Sequence, residues 1–181
     1  MSSRTEILIS GFGGQGVVRL GQILGQAAVH QGIYATMLIS HGTETRGGYV
    51  RSQVVLSDAF IASPVVERPD YFCAFSQIAY AKYGELCGPE SIILHDPGSV
   101  APEAAAPARH LAVGAEALAL ESLGDAVYAN IIFLGALSRS CTLISPECIV
   151  SALKQRLPRH FEKNLQAFEL GRSLTGLSSS V

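Results

Sequence analysis

Charge is what this 181-residue chain has least of. Only 15% of its residues are Asp, Glu, Lys or Arg, while 48% are hydrophobic. An ordinary soluble domain carries about a quarter charged residues. A lone domain would cover itself with more charge, so part of this surface is expected to be covered by other chains. The two signs nearly cancel at a net charge of −2, which argues against a nucleic-acid partner held by bulk electrostatics. No apolar run reaches membrane-spanning length, and the N-terminus lacks a signal-peptide core, so no membrane is expected and the cytoplasm is the expected compartment. Cys73, Cys87, Cys141 and Cys148 include no C-x-x-C pair. That spacing speaks against zinc or an iron–sulfur cluster held by this chain alone, and buried, reduced thiols are expected instead. No internal repeat is present. One domain over residues 1–172 is expected, followed by a frayed, Ser-rich tail over 173–181.

What the chain does have is a glycine turn. Ile7, Leu8 and Ile9 fit a buried strand, which runs into Gly11-Phe12-Gly13-Gly14-Gln15-Gly16 and then into a helical pattern over 17–31. Glycines permit positive φ and a close approach of ligand to backbone. The N–H groups opening the helix lack intrahelical partners, and the dipole there is positive, which favours an anion. Gly11, Gly13 and Gly16 match the G-x-G-x-x-G spacing of dinucleotide sites. The competing reading is a tight turn whose glycines serve packing. Gly21 and Gly25 are expected to let the helix press onto a sheet, and Gly32 to cap it. A second strand over 34–40 completes a β-α-β unit with a right-handed crossover. A nicotinamide or flavin dinucleotide would want an acidic residue at the end of that strand. Ser40 and His41 stand there instead.

A second unusual loop follows, His41-Gly-Thr43-Glu44-Thr-Arg46-Gly47-Gly48. It is expected beside the first. Thr43, Arg46, Gly47 and Gly48 are its candidate site residues. Arg46 fits a clamp on phosphate or carboxylate, a solvated loop charge, or an ion pair to another chain. His41 fits a satisfied loop histidine better than a catalyst. Residues 49–57 alternate as a strand and, with no helix before them, fit antiparallel pairing. A short edge strand over 59–62 follows. A buried strand over 70–75 then leads to Ser76, an N-cap for a helix over 77–84 and a second strand-end, helix-start position. Further strands fit 91–95 and 111–114, with a surface connection over 99–108. Asp125 can cap a helix over 126–138 that is apolar nearly all round, including Val127. Asn130 is its polar exception, either bonded to nearby backbone or contacting a ligand. Ser145-Pro146-Glu147 opens another helix, stopped by Pro158, and a last one spans 159–171. The fold class is therefore α/β. Three layers (α/β/α) are expected, with a mostly parallel but mixed sheet and a helical C-terminal third.

Taken in order, the pieces Gly11–Gly16, Arg46-Gly47-Gly48, Arg51-Ser-Gln-Val-Val55, Asn130-Ile-Ile-Phe-Leu-Gly-Ala-Leu137 and Asn164-Leu-Gln-Ala-Phe-Glu-Leu-Gly171 span nearly the whole chain. Together they resemble the gamma subunit of 2-oxoacid:ferredoxin oxidoreductases. Arg51–Val55 and Ala167–Gly171 are most similar to the 2-oxoglutarate or branched-chain 2-oxoacid (ketoisovalerate) enzymes. The small subunit of indolepyruvate ferredoxin oxidoreductase is also similar, and a stand-alone dinucleotide-binding protein is the alternative outside the family. The resemblance implies a subunit inactive alone, in a complex that converts a 2-oxoacid to acyl-coenzyme A, CO2 and reduced ferredoxin. It implies alpha and beta partner subunits, with a ferredoxin-like delta subunit as a further candidate, and ferredoxin as electron acceptor. Thiamine diphosphate and iron–sulfur clusters would sit in those partners. From the low charge and high apolar content, the isolated chain is expected to self-associate, a homodimer being one such form, or to be poorly soluble. The resemblance also implies that this chain contributes to coenzyme A binding. By position the candidates are Gly11, Phe12, Gly13, Gly14, Gln15 and Gly16, with Ser76 and Asn130.

Overall fold

In the computed structural model, which describes residues 3–42, 48–104 and 106–174, strand β1 (Arg4–Phe12) stands at the centre of one six-stranded sheet. Its residues bury alternately on the two faces. Ile7 and Ile9 join the larger core and Leu8 the smaller, all at 1% exposure or less. The other strands are β2 (Tyr34–His41), β3 (Tyr49–Ser57), β4 (Tyr71–Ala74), β5 (Ile92–His95) and β6 (Arg109–Ala112). Their order across the sheet is β2-β3-β1-β4-β5-β6. The pairs β1–β4, β4–β5 and β5–β6 are parallel, whereas β3 pairs antiparallel with both β1 and β2.

The expected β-α-β unit is thus interrupted, because β3 lies between β1 and β2. Val54 is opposite Ile7 on one side and Met37 on the other. The reason is local. The connection from β2 to β3 is too short for a crossover, so the chain turns straight back as a hairpin. Val54, Val55 and Leu56 are fully buried, which suits a strand covered on both faces, whereas β2 leaves Tyr34 and Ile39 exposed and takes the edge.

One face of the sheet carries α1 (Val17–Gln31), α3 (Ala115–Leu123), α4 (Ala129–Ser140), α5 (Pro146–Arg156) and α6 (Phe161–Ser173) over the larger core. The other carries α2 (Gln77–Tyr83) and loop residues such as Ile61, Val66 and Val100. The layers are therefore three but unequal. Among the described residues no helix is long and apolar enough to cross a membrane. Several helix ends form as their residues dictate. Ser76 Oγ accepts from Ala79 N at 3.2 Å, and Ser145 Oγ accepts from Cys148 N at 3.4 Å ahead of Pro146. Gly32, at φ 77°, closes α1. A Cβ on Gly21 would lie 2.3 Å from Ser52 Oγ, so this glycine does let α1 press onto the sheet. Gly25 has nothing within 4 Å and serves no such contact.

Other boundaries differ from expectation. Residues 59–62 form no strand. The hydroxyl of Ser57 accepts from Ala59 N, and Phe60 is 80% exposed. The strand expected at 111–114 lies at Arg109–Ala112. Helix α3 was not anticipated, because its buried residues are Ala115, Ala119 and Leu123 while Leu120 is exposed, so it lacks a strong apolar stripe. The helix expected from 126 opens as a 3-10 turn over Ala126–Tyr128, where Asp125 Oδ1 takes the Val127 N–H at 2.9 Å. Val127 is consequently 64% exposed rather than buried. Another 3-10 turn, Pro158–His160, precedes α6, which runs to Ser173 and so into the expected tail. The rest of that tail, 175–181, lies outside the described residues. Cys148 is half-buried, unlike the other three thiols.

Helices α4 and α6 cross at two glycines. A Cβ on Gly135 would fall 2.1 Å from Phe168 O, and one on Gly171 would fall 2.0 Å from Ile132 O. These are backbone atoms and cannot swing away, so the helices must separate if either glycine gains a methyl group. We predict that Gly135→Ala costs about 1–3 kcal/mol in chemical denaturation, the range for overpacking a close-packed core. Gly25→Ala, with free space and a helical backbone, should instead stabilise by up to about 1 kcal/mol. Equal effects of the two substitutions would show that the α4–α6 crossing is not glycine-dependent.

Candidate functional site

Strand β1 delivers the glycine turn to the carboxyl edge of the sheet. Gly14 (φ 97°) and Gly16 (φ 84°) are left-handed, a conformation that side-chain-bearing residues resist. Gln15 holds the turn together. Its Oε1 accepts from Phe12 N at 2.6 Å, and its Nε2 donates to Phe75 O at 3.0 Å. It therefore ties the end of β1 to the end of β4. A Cβ on Gly11 would strike Gln15 Oε1 at 2.5 Å and Phe75 Cβ at 2.7 Å, so that glycine makes room for the tie. Gly16 meets Asn130 in the first turn of α4: a Cβ there would fall 2.0 Å from Asn130 Nδ2. Asn130 Oδ1 is buried with no hydrogen-bond partner. Gly13 is different, since its Cβ position has nothing nearer than Gly48 O at 3.8 Å, and its N–H donates to that carbonyl at 3.2 Å. Gly48, the last residue of the second loop, thus lies against the first loop. Thr43, Arg46 and Gly47 lie outside the described residues. Ser76 is buried and its hydroxyl caps α2, so the structure gives it a local structural task.

The topology explains why a cleft opens here. Helix α1 leaves β1 over one face, and α2 leaves the neighbouring parallel strand β4 over the other. Such a switch point leaves a crevice beyond the carboxyl ends of the strands. The cleft has a volume of about 850 Å³ and is lined by the glycine turn, the first turn of α1, the start of α4 and the α5–α6 connection. That size is within the usual range of small-molecule sites. No side chain caps α1, because its N-cap is Gly16, and its first turn holds no acidic residue. Arg19 stands there instead and lines the cleft with Arg156 and Arg159. None of these three arginines has a hydrogen-bond or ion-pair partner among the described residues. A second cavity of about 290 Å³ shares Gly14, Val127 and Asn130 with the first and is walled by Phe75 and Phe133. It carries Asp96 and Glu116. The Asp96 carboxylate accepts from Gly98 N and Glu116 N, both at 2.9 Å. The arrangement can bind an anion at close range through backbone N–H groups and guanidinium groups.

It suits other chemistries poorly. Burial pushes the thiols of Cys73 and Cys87 up to about 12 and that of Cys141 to about 11, which keeps them protonated and weak as nucleophiles or ligands. Among the described residues no three His, Cys, Asp or Glu side chains converge on a metal-sized site. The residue that would hold a nicotinamide ribose belongs at the end of β2, but β3 separates that strand from β1, and Ser40 and His41 there are exposed. Arg19, Arg156 and Arg159 were not singled out in the sequence because no motif contains them. One signal was present, since an arginine in an otherwise acid-free first turn opposes the helix dipole.

The chain matches the family described as pyruvate ferredoxin/flavodoxin oxidoreductase over residues 6–174. It is 36% identical to 2-oxoglutarate synthase subunit KorC of Methanothermobacter thermautotrophicus, covering 94% of this chain and 95% of that one. The crystal structure of the gamma subunit of a keto/oxoacid ferredoxin oxidoreductase from Geobacter sulfurreducens superposes with a TM-score of 0.82 at 31% identity, over 92% of this chain and 95% of that one. The 2-oxoglutarate:ferredoxin oxidoreductase of Magnetococcus marinus, solved with 2-oxoglutarate, coenzyme A and succinyl-CoA bound, has the same fold in a third of its chain. The TM-score is 0.89 at 24% identity, over 98% of this chain and 32% of that one.

The contact between Gly16 and Asn130 yields a direct test. Gly16→Ala meets both positive φ and the Asn130 amide, so part of its cost should vanish once Asn130 is truncated. In a double-mutant cycle read by denaturation, Gly16→Ala and Asn130→Ala should couple by more than about 0.5 kcal/mol, beyond the additivity of independent sites. Additive effects would mean that the loop and α4 are not braced against each other.

Proposed function

The chain belongs to the pyruvate ferredoxin/flavodoxin oxidoreductase family, and on that premise we propose that it is the gamma subunit of a 2-oxoglutarate:ferredoxin oxidoreductase and contributes the coenzyme A site. The observation that carries this reading is the cleft at the glycine turn. An uncapped helix start, glycines that keep side chains away, and three unpartnered arginines together suit the phosphates of a nucleotide coenzyme. The buried, unpartnered Asn130 Oδ1 adds an acceptor at the saddle between the two cavities. It suits a donor such as an amide N–H of the pantetheine arm. Relatives are named as subunits of 2-oxoglutarate synthase, which is the reason for 2-oxoglutarate over other 2-oxoacids.

The overall reaction in this reading is oxidation of 2-oxoglutarate by two ferredoxins with capture of the succinyl group by the coenzyme thiol, giving succinyl-CoA, CO2, two reduced ferredoxins and a proton. Thiamine diphosphate and iron–sulfur clusters, held by alpha, beta and delta-type partners, would supply the decarboxylation and electron-transfer chemistry. The residues of this chain bind and orient. The turn and α1 receive the coenzyme diphosphate, Gln15 keeps the turn's shape, and Val127 and Asn130 border the path from one cavity to the other. One domain over 1–172, acting in a cytoplasmic complex, is part of the proposal. So is a partner surface that includes the β2 edge, where Tyr34 and the 80%-exposed Phe60 stack edge to face at 6.4 Å.

Gly13 offers a clean test because a side chain fits there without clash or strained φ. In the assembled enzyme, Gly13→Asp should place a carboxylate in the anion cleft. The KM for coenzyme A should rise by about tenfold or more, the loss expected for one charge-assisted contact. Decarboxylation of 2-oxoglutarate without coenzyme A should persist, and Gly13→Ala should behave nearly as wild type. An unchanged KM in a correctly assembled Gly13→Asp complex would remove the proposal.

A further inference from the structure

The three unpartnered arginines come from two separate places. Arg19 is in the first turn of α1, next to the glycine turn. Arg156 ends α5, and Arg159 sits in the 3-10 turn that follows. Between the latter two, Leu157 and Pro158 also line the cleft, and His160 follows. The segment 154–160 contains Lys154, Arg156, Arg159 and His160 and no acidic residue, in a chain whose net charge is −2. Among the described residues, the acidic one that lines this cleft is Asp125, and one of its oxygens is engaged by Val127 N. Arginines that line one cleft with no counter-ion among the described residues give it a positive potential, which is informative about what the cleft receives.

A diphosphate at the glycine turn accounts for the α1 terminus and Arg19. It leaves Arg156 and Arg159, on another wall of the same cleft, without a task. We propose that Arg156 and Arg159 form a seat for a second phosphate group of the ligand, a terminal phosphate monoester apart from the diphosphate. This rests on the coenzyme A reading, in which that group is the 3′-phosphate of the ribose. The charges match. A phosphate monoester carries close to two negative charges at neutral pH, against one for each linked phosphate, and a pair of guanidinium groups can meet it with several directed hydrogen bonds. Pro158 between the two arginines fixes the backbone of the connection and limits the ordering needed when the ligand arrives. The seat would make the site selective for a coenzyme that bears the extra phosphate over dinucleotides and nucleoside diphosphates that lack it.

The test compares coenzyme A with 3′-dephospho-coenzyme A on the assembled enzyme, by calorimetry and by KM in acyl-coenzyme formation. Wild type should bind coenzyme A at least about tenfold more tightly, as loss of a charge-assisted hydrogen bond at one site would give. Arg156→Gln and Arg159→Gln, both at exposed positions, should each shrink that ratio, and together they should bring it close to one. Affinity for the dephospho form should barely change. If wild type binds both forms equally well, the seat is overturned while the coenzyme reading stands. If wild type binds neither, the coenzyme reading fails and the seat with it. Variants that keep the full ratio but dissociate the complex would assign the two arginines to an acidic partner surface and overturn the seat as well.

Discussion

The structure turns on how closely α4 approaches the glycine turn. Its Asn130 amide occupies the space where any side chain at Gly16 would begin, with 2.0 Å between the amide nitrogen and that position. Further along, α4 is set equally close to α6 through Gly135 and Gly171. One helix, buried nearly all round, thus ties the C-terminal layer to the carboxyl edge of β1. The cleft is the space left between that helix, the turn and the α5–α6 connection. Its shape is therefore a consequence of core packing, and its lining is delivered by elements that could not move apart without opening the core.

Two kinds of residue build the site. The glycines and Gln15 set backbone geometry: Gly14 and Gly16 take left-handed φ, Gly11 admits the Gln15 amide, and that amide joins β1 to β4. The uncapped start of α1 and the arginines then supply positive potential to a space with little negative charge of its own. Neither set would bind well alone. A helix terminus is worth about 1 kcal/mol or less for an exposed anion, and exposed arginines without fixed partners contribute little. A cleft that brings both to one ligand makes the contributions act together.

The strand–turn–helix at 7–31 was legible because its signals are local: an aliphatic run, a glycine cluster and a 3.6-residue apolar period. The caps at Ser76, Asp125 and Ser145 were legible for the same reason. The position of β3 was only half legible. Antiparallel pairing followed from the short connection, but its insertion between β1 and β2 depends on burial of both its faces, which is a tertiary fact. The same holds for Gly135 and Gly171. They stood out as members of ordered pieces resembling a family, yet their purpose appears only when the two helices are seen crossing. Arg156 and Arg159 were illegible as site residues, because nothing near them in sequence says which cavity the α5–α6 connection will border. Ser76 and Gln15 were picked out as candidate coenzyme contacts, and in the structure each makes hydrogen bonds that support the local backbone.

The central claim is that the glycine turn and the first turn of α1 receive the coenzyme diphosphate. The most direct measurement is a structure of the assembled enzyme with coenzyme A bound, at a resolution that locates phosphorus atoms. The diphosphate oxygens are predicted within about 3 Å of backbone N–H groups at Gly14–Val18, the ordinary hydrogen-bond distance. A diphosphate bound away from this turn, with the cleft beside Gly13 and Gly16 filled by solvent or by a partner chain, would contradict the claim.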